Sequence, residues 1–169
     1  YGAKVNGAMD YLLTYADRGF SGNPAEAGAD RTYSLDVLPQ EYPTWGTGDY
    51  RNAALLIQNA DHSESCKLQY AGHTIKKGKY NLQGLPAVYA EENEAETLEI
   101  YMEDCVSNLK VTLLYGVVEQ LDIITRSVII ENHGSEDIII EKAGSACLEL
   151  LPGQYDLLSF CGRHTMERT

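Results

Sequence analysis

Residues 39–51, PQEYPTWGTGDYR, gather the densest set of side chains able to do recognition chemistry. Two prolines and two glycines argue against a regular helix or a central strand, and the segment holds no aliphatic residue. What stands out is Glu41, Tyr42, Trp45, Asp49, Tyr50 and Arg51. Aromatic rings stack on the apolar faces of sugars, while carboxylates and guanidinium groups exchange hydrogen bonds with hydroxyls. Trp45, the only tryptophan in the chain, together with Glu41, Asp49 and Arg51, therefore suits the edge of a carbohydrate. The same residues also suit a structural role, in which the prolines shape a loop, Trp45 packs, and Arg51 pairs with Glu41 or Asp49. Composition alone leaves both readings open.

Other chemistries find little support. His62, His73, His133 and His164 are scattered, and none stands beside a serine or cysteine in a nucleophile-elbow setting. Gly46-x-Gly48 lacks the third glycine and the strand-to-helix setting of a phosphate loop. Cys66, Cys105, Cys147 and Cys161 form no C-x-x-C pair and have no histidine at zinc-ligand spacing. They read as reduced, mostly buried small hydrophobes, which points to a cytoplasmic protein. Glu91, Glu92, Glu94 and Glu96 offer the oxygens a hard cation takes, but the run reads as a solvated connection. Neither a cofactor nor a metal is implied.

The elements that must position these residues read as strands. Thr97 to Glu103 alternates, with Leu98, Ile100 and Met102 on one face and Glu99, Tyr101 and Glu103 on the other. Leu109, Val111, Leu113 and Tyr115 repeat the period of two. Asp122 to Asn132 is apolar and β-branched and stops at the turn Asn132-His133-Gly134-Ser135. Further strands are expected at 53–59, 67–76, 136–142, 146–151 and 155–160, with Pro152-Gly153 as another turn. Short strands with frequent turn signals predict an all-β, antiparallel sandwich with few or no helices. Arg18 to Arg31 reads as a long loop, a common place for function.

The 169 residues suit one domain, or part of a larger one. The formal charge of −12 disfavours nucleic acid and anionic lipid as partners. No apolar run approaches the roughly 20 residues that span a bilayer. The chain opens on Tyr1 rather than Met, which reads as a trimmed or processed piece.

Four blocks of sequence carry a resemblance. ADRGFSGNP (16–24), DRTYSLDVLPQEYPTWGTGDYR (30–51), HTIKKGKYNLQGLPAVYAEENEAETLEI (73–100) and DIITRSVIIENHG (122–134) resemble, in order, the N-terminal region of family 36 glycoside hydrolases, the bacterial-type α-galactosidases. Val37, where that family usually has Thr, and a longer loop from Asn23 to Arg31 are departures. The resemblance implies retaining hydrolysis of terminal α-linked galactose, as in melibiose and raffinose. It implies a galactose-mutarotase-like β-supersandwich placed before a (β/α)8 barrel. Such a barrel needs about 250 residues and would hold two catalytic carboxyl groups about 5–5.5 Å apart. Residues 1–169 then form an incomplete N-terminal supersandwich, its partner the remainder of the same enzyme, and this chain carries no catalytic residue. The resemblance further implies a homo-oligomer, a tetramer in the full-length enzyme, in which this domain helps close a neighbour's pocket. Asp17 would accept hydrogen bonds from galactose hydroxyls, and Arg31 would orient it or donate to the sugar. Trp45, Asp49 and Arg51 would line or brace the same edge. A self-standing carbohydrate-binding module and a purely structural oligomerisation domain are the alternatives.

Overall fold

The computed structural model describes residues 40–46, 51–84, 88–148, 153–156 and 158. Six strands follow in order: β1 (Leu55–Gln58), β2 (Gln69–Lys77), β3 (Glu96–Asp104), β4 (Leu109–Val118), β5 (Ile123–Asn132) and β6 (Ile139–Ala143). Strands β2-β3-β4-β5 form an antiparallel meander, and β1 pairs antiparallel with β6 in a second sheet. The expected all-β antiparallel sandwich is what the chain forms. The only helical piece among the described residues is a 3-10 turn, Glu119–Leu121, between β4 and β5.

The period of two decides which residues meet. Across the meander, Met102, Val111 and Ile130 lie in one row and Ile100, Leu113 and Val128 in the next. These rows face Leu55 and Ile57 of β1 and close over Ala54, Cys66 and Leu109 as the core between the sheets. Val111 and Leu113 are wholly buried. At about 25 cal/mol per Å² of apolar surface, such rows supply the main driving force for closing the sandwich.

The opposite face of the meander is covered locally. Residues 78–80 fold back over it: Tyr80 N donates to Thr97 Oγ1 (2.9 Å), which donates to Gly78 O (2.7 Å). Tyr80 Oη and Ser127 Oγ lie 2.9 Å apart. Gly116 makes room for this cover, because a Cβ there would stand 2.6 Å from Thr125 Oγ1 and 3.3 Å from Tyr80 Cε1.

The expected turn at Asn132–Ser135 forms between β5 and β6, with Gly134 N donating to Asn132 Oδ1 at 2.9 Å, and passes the chain from one sheet to the other. Two expectations need correction. The strands expected at 146–151 and 155–160 are not seen at the described positions 146–148, 155, 156 and 158. Leu148, Tyr155 and Leu158 there are exposed, so their apolar pattern has no facing layer among the described residues. The cysteines are less uniformly buried than composition implied. Cys66 is buried, its thiol pushed up to about 12 by burial and then by the Asp104 carboxylate, whereas Cys105 is exposed and Cys147 half-buried.

Candidate functional site

The stretch rich in recognition chemistry runs alongside β1. Thr44 forms a parallel bridge with Leu55. Pro43 O accepts from Ala54 N at 2.8 Å and from Leu55 N at 3.3 Å, and Trp45 O accepts from Cys66 N at 2.8 Å. Thr44 Oγ1 donates to Cys66 O (2.6 Å), and Tyr42 Oη donates to Gly144 O (2.8 Å). Pro43 fits here because the pairing uses its carbonyl and never needs the N–H it lacks. Tyr42, Pro43 and Thr44 are buried. Gly46 ends the docked stretch at φ 106°, where a Cβ would stand 2.3 Å from Ser65 Oγ and 3.0 Å from Cys66 N.

The other end is held by charge. Glu41 Oε1 lies 3.6 Å from Arg126 Nη2 of β5, an ion pair too long for a hydrogen bond. The Arg126 guanidinium stacks 4.3 Å from the ring centre of Tyr115, its register partner on β4, and 6.0 Å from that of Tyr42. Its Nη1 donates to Ser127 O at 2.9 Å. The Arg126 side chain is 12% exposed and that of Glu41 32%. Burial pushes the Glu41 carboxyl above its ordinary range, and the Arg126 charge only partly opposes this. Burial raises the Tyr42 hydroxyl in the same way, again opposed by Arg126. A half-shielded carboxylate against a stacked guanidinium suits holding a segment in place.

The residues singled out from sequence fall into two groups. Asp17, Arg31 and Asp49 lie outside the described residues. Trp45 is half-buried, and its Nε1 has no hydrogen-bond partner among the described residues. Arg51 is exposed. The partner found for Glu41 is Arg126, from outside the segment. Sequence reasoning missed Arg126 and the close approach at Gly46. A signal for Arg126 was present: it alternates in step with Val128 and Ile130, which pack against the core, an odd place for a charge.

Elsewhere, a groove of about 580 Å³ opens among Asn59, Asp61, Lys67, Asp104 and Glu136. Much of its polar lining is engaged in its own turns. Asn59 Nδ2 donates to Ser63 Oγ and Ser65 O, and Asp104 accepts from Val106 N and Ser107 Oγ. No group of three or more His, Cys, Asp or Glu able to hold a metal occurs among the described residues. No helix among them is long and apolar enough to cross a membrane.

Comparison with known proteins places this architecture. The chain is 60% identical over 168 residues to the bifunctional alpha-galactosidase/sucrose kinase AgaSK of Mediterraneibacter gnavus, covering 99% of this chain and 18% of that protein. It is 44% identical over 153 residues to alpha-galactosidase AgaA of Geobacillus stearothermophilus, covering 90% of this chain and 21% of that one. The solved galactosidase domain of AgaSK superposes with a TM-score of 0.77 at 62% identity, over 88% of this chain and 21% of that chain. A crystal structure of AgaA with raffinose does so with a TM-score of 0.74 at 44% identity, over 86% of this chain and 20% of that chain. The chain thus spans about a fifth of the length of these relatives. The Glycosyl hydrolase family 36 N-terminal domain matches residues 1–169, and the chain therefore belongs to glycoside hydrolase family 36 as its N-terminal domain.

Proposed function

We propose that this chain is the non-catalytic N-terminal β-domain of an α-galactosidase that releases terminal α-linked galactose from melibiose- and raffinose-type oligosaccharides. It contributes to a homotetramer and to the edge of the substrate pocket. The parent enzyme is cytoplasmic. The observation that carries this reading is the family match along the whole chain. Relatives named alpha-galactosidases support it, among them AgaA, solved with raffinose and with stachyose. Residues 1–169 are an incomplete supersandwich, and the carboxylates that attack and protonate the glycosidic bond lie in a barrel beyond it.

Within this reading, Asp17 and Arg31 meet the galactose hydroxyls, and Trp45, Asp49 and Arg51 border the same edge. Such groups act by alignment, and misalignment lowers rate without touching the bond-making groups. The docking of Pro43, Thr44 and Trp45 against Ala54, Leu55 and Cys66 supports the role, because it holds Trp45 in a fixed place. The test is steady-state kinetics of the full-length enzyme with raffinose. Asp17→Ala is expected to lower kcat/KM by about tenfold or more with the fold intact. Unchanged kinetics would remove Asp17 from the pocket.

A further inference from the structure

The groove of about 580 Å³ lies at one end of the sandwich, where three loops meet: the turn after β1, the tip of the β3–β4 hairpin and the crossing from β5 to β6. Each wall is fixed by its own bonds. Asn59 N donates to Ser63 O (2.8 Å), and Asp61 Oδ1 accepts from Ser63 N (2.9 Å). Ser107 Oγ donates to Asp104 Oδ2 (2.8 Å), and Asn132 Nδ2 to Glu136 O (2.8 Å). His133 N donates to Asn108 O (3.1 Å), which ties the hairpin tip to the crossing. Gly134 lets those two walls touch, because a Cβ there would stand 2.5 Å from Ser107 O. A rigid cleft of this size suits a small ligand and costs little to order on binding.

The lining narrows the class of ligand. Asp61, Asp104 and Glu136 outnumber Lys67, so the cleft disfavours phosphate and other anions. Two of these carboxylates are partly spent within the walls, Asp61 on Ser63 N and Asp104 on Val106 N and Ser107 Oγ, which weakens the pull on a cation. The side chains of Asn108, Ser135 and Glu136 make no hydrogen bond with the described residues, and they offer an amide, a hydroxyl and a carboxylate. Val106, which is exposed, and Ile138, which packs on the core, add apolar surface. Donors and acceptors set beside apolar surface match a sugar ring, whose hydroxyls do both and whose C–H faces are apolar.

We propose that this groove binds a short neutral oligosaccharide, with its hydroxyls on Asn108, Ser135 and Glu136 and a ring face against Val106 and Ile138. Only the choice of probe rests on the α-galactosidase reading.

The test is hydrogen–deuterium exchange on the full-length enzyme over a concentration series of sucrose, the neutral disaccharide left when raffinose loses galactose, with putrescine as the cationic comparator. Sucrose is expected to slow exchange saturably at residues 59–65, 104–108 and 132–136 together, and putrescine to leave them unchanged. Asn108→Gly removes the amide and keeps the φ of 55° open to the backbone, and Glu136→Ala removes an exposed carboxylate. Each is expected to weaken sucrose binding about threefold to tenfold with Tm unchanged. Unchanged exchange at all three segments overturns the proposal. So does protection by putrescine alone, or protection by sucrose that both variants leave undiminished. Raffinose hydrolysis by the same preparation keeps the two readings apart. An enzyme that releases no galactose but protects the groove with sucrose loses the proposed function and keeps this inference; hydrolysis with a silent groove does the reverse.

Discussion

Gly46→Ala probes the tightest approach in the docked stretch, and its cost can be built from two parts. The first is conformational, since φ at Gly46 is 106° and an L side chain there costs about 1–2 kcal/mol. The second is steric. The new Cβ would stand 2.3 Å from Ser65 Oγ and 3.0 Å from both Cys66 N and Ser65 Cα. The hydroxyl can rotate away, but the two backbone atoms cannot move without lengthening the bond from Cys66 N to Trp45 O, now 2.8 Å. Overpacking of this kind adds about 1–3 kcal/mol, for a total of about 2–5 kcal/mol. Urea unfolding of the chain measures it, with the fluorescence of Trp45, the only tryptophan, as one probe and circular dichroism as the second. Gly84→Ala is the control: its φ is +73° and nothing lies within 4 Å of the added Cβ, so only the first part, about 1–2 kcal/mol, is expected. Adding Ser65→Ala to Gly46→Ala should recover only the hydroxyl share. If Gly46→Ala costs no more than Gly84→Ala, the close packing of residues 42–46 on residues 65–66 is wrong.

Three other outcomes follow from the same contacts. Leu113→Ala empties a wholly buried site between the sheets and should cost about 2–5 kcal/mol by urea unfolding; a change below about 1 kcal/mol would mean that the two layers do not close there. Gly116→Ala should cost about 1–3 kcal/mol by driving a methyl into Thr125 and Tyr80, and Tyr80→Ala should relieve part of that penalty in a double-mutant cycle. The third concerns pH. The folded Glu41 carboxyl is raised, so its contribution to stability is full below the unfolded value and is lost as pH rises through the folded one. Glu41→Gln should therefore be as stable as the parent or more so at neutral pH, with the difference vanishing in acid. A variant less stable at pH 7 than the parent by urea unfolding would contradict the balance of burial over pairing. Glu99, lowered in the fold by bonds from Lys76 and Tyr101, works in the opposite sense and loses its contribution as pH falls through its folded value.

The two central strands of the meander were legible because each carries its own period of two: Leu98, Ile100 and Met102 on β3, then Leu109, Val111 and Leu113 on β4. Positions 146–148 were misread because a short apolar alternation becomes a strand only when a partner faces it, and that information is not local. The docked stretch illustrates the same limit. Its prolines and glycines argued against a regular element, and none forms at the described positions 40–46, but they could not reveal that Pro43 offers its carbonyl to Ala54 and Leu55. Nor could the segment name Arg126 as the partner of Glu41, since pairs distant in sequence are set by sheet order. Gly46 was noticed as part of a failed phosphate-loop pattern, whereas its structural requirement is the approach of Ser65.

The most direct measurement is the crystal structure of the full-length enzyme with bound galactose. The account predicts Asp17 or Arg31 within about 3.2 Å of a sugar hydroxyl, with residues 42–45 still docked on β1 as the base of that edge. A galactose enclosed by other parts of the enzyme, with every residue of this domain too far away to touch it, would contradict the account.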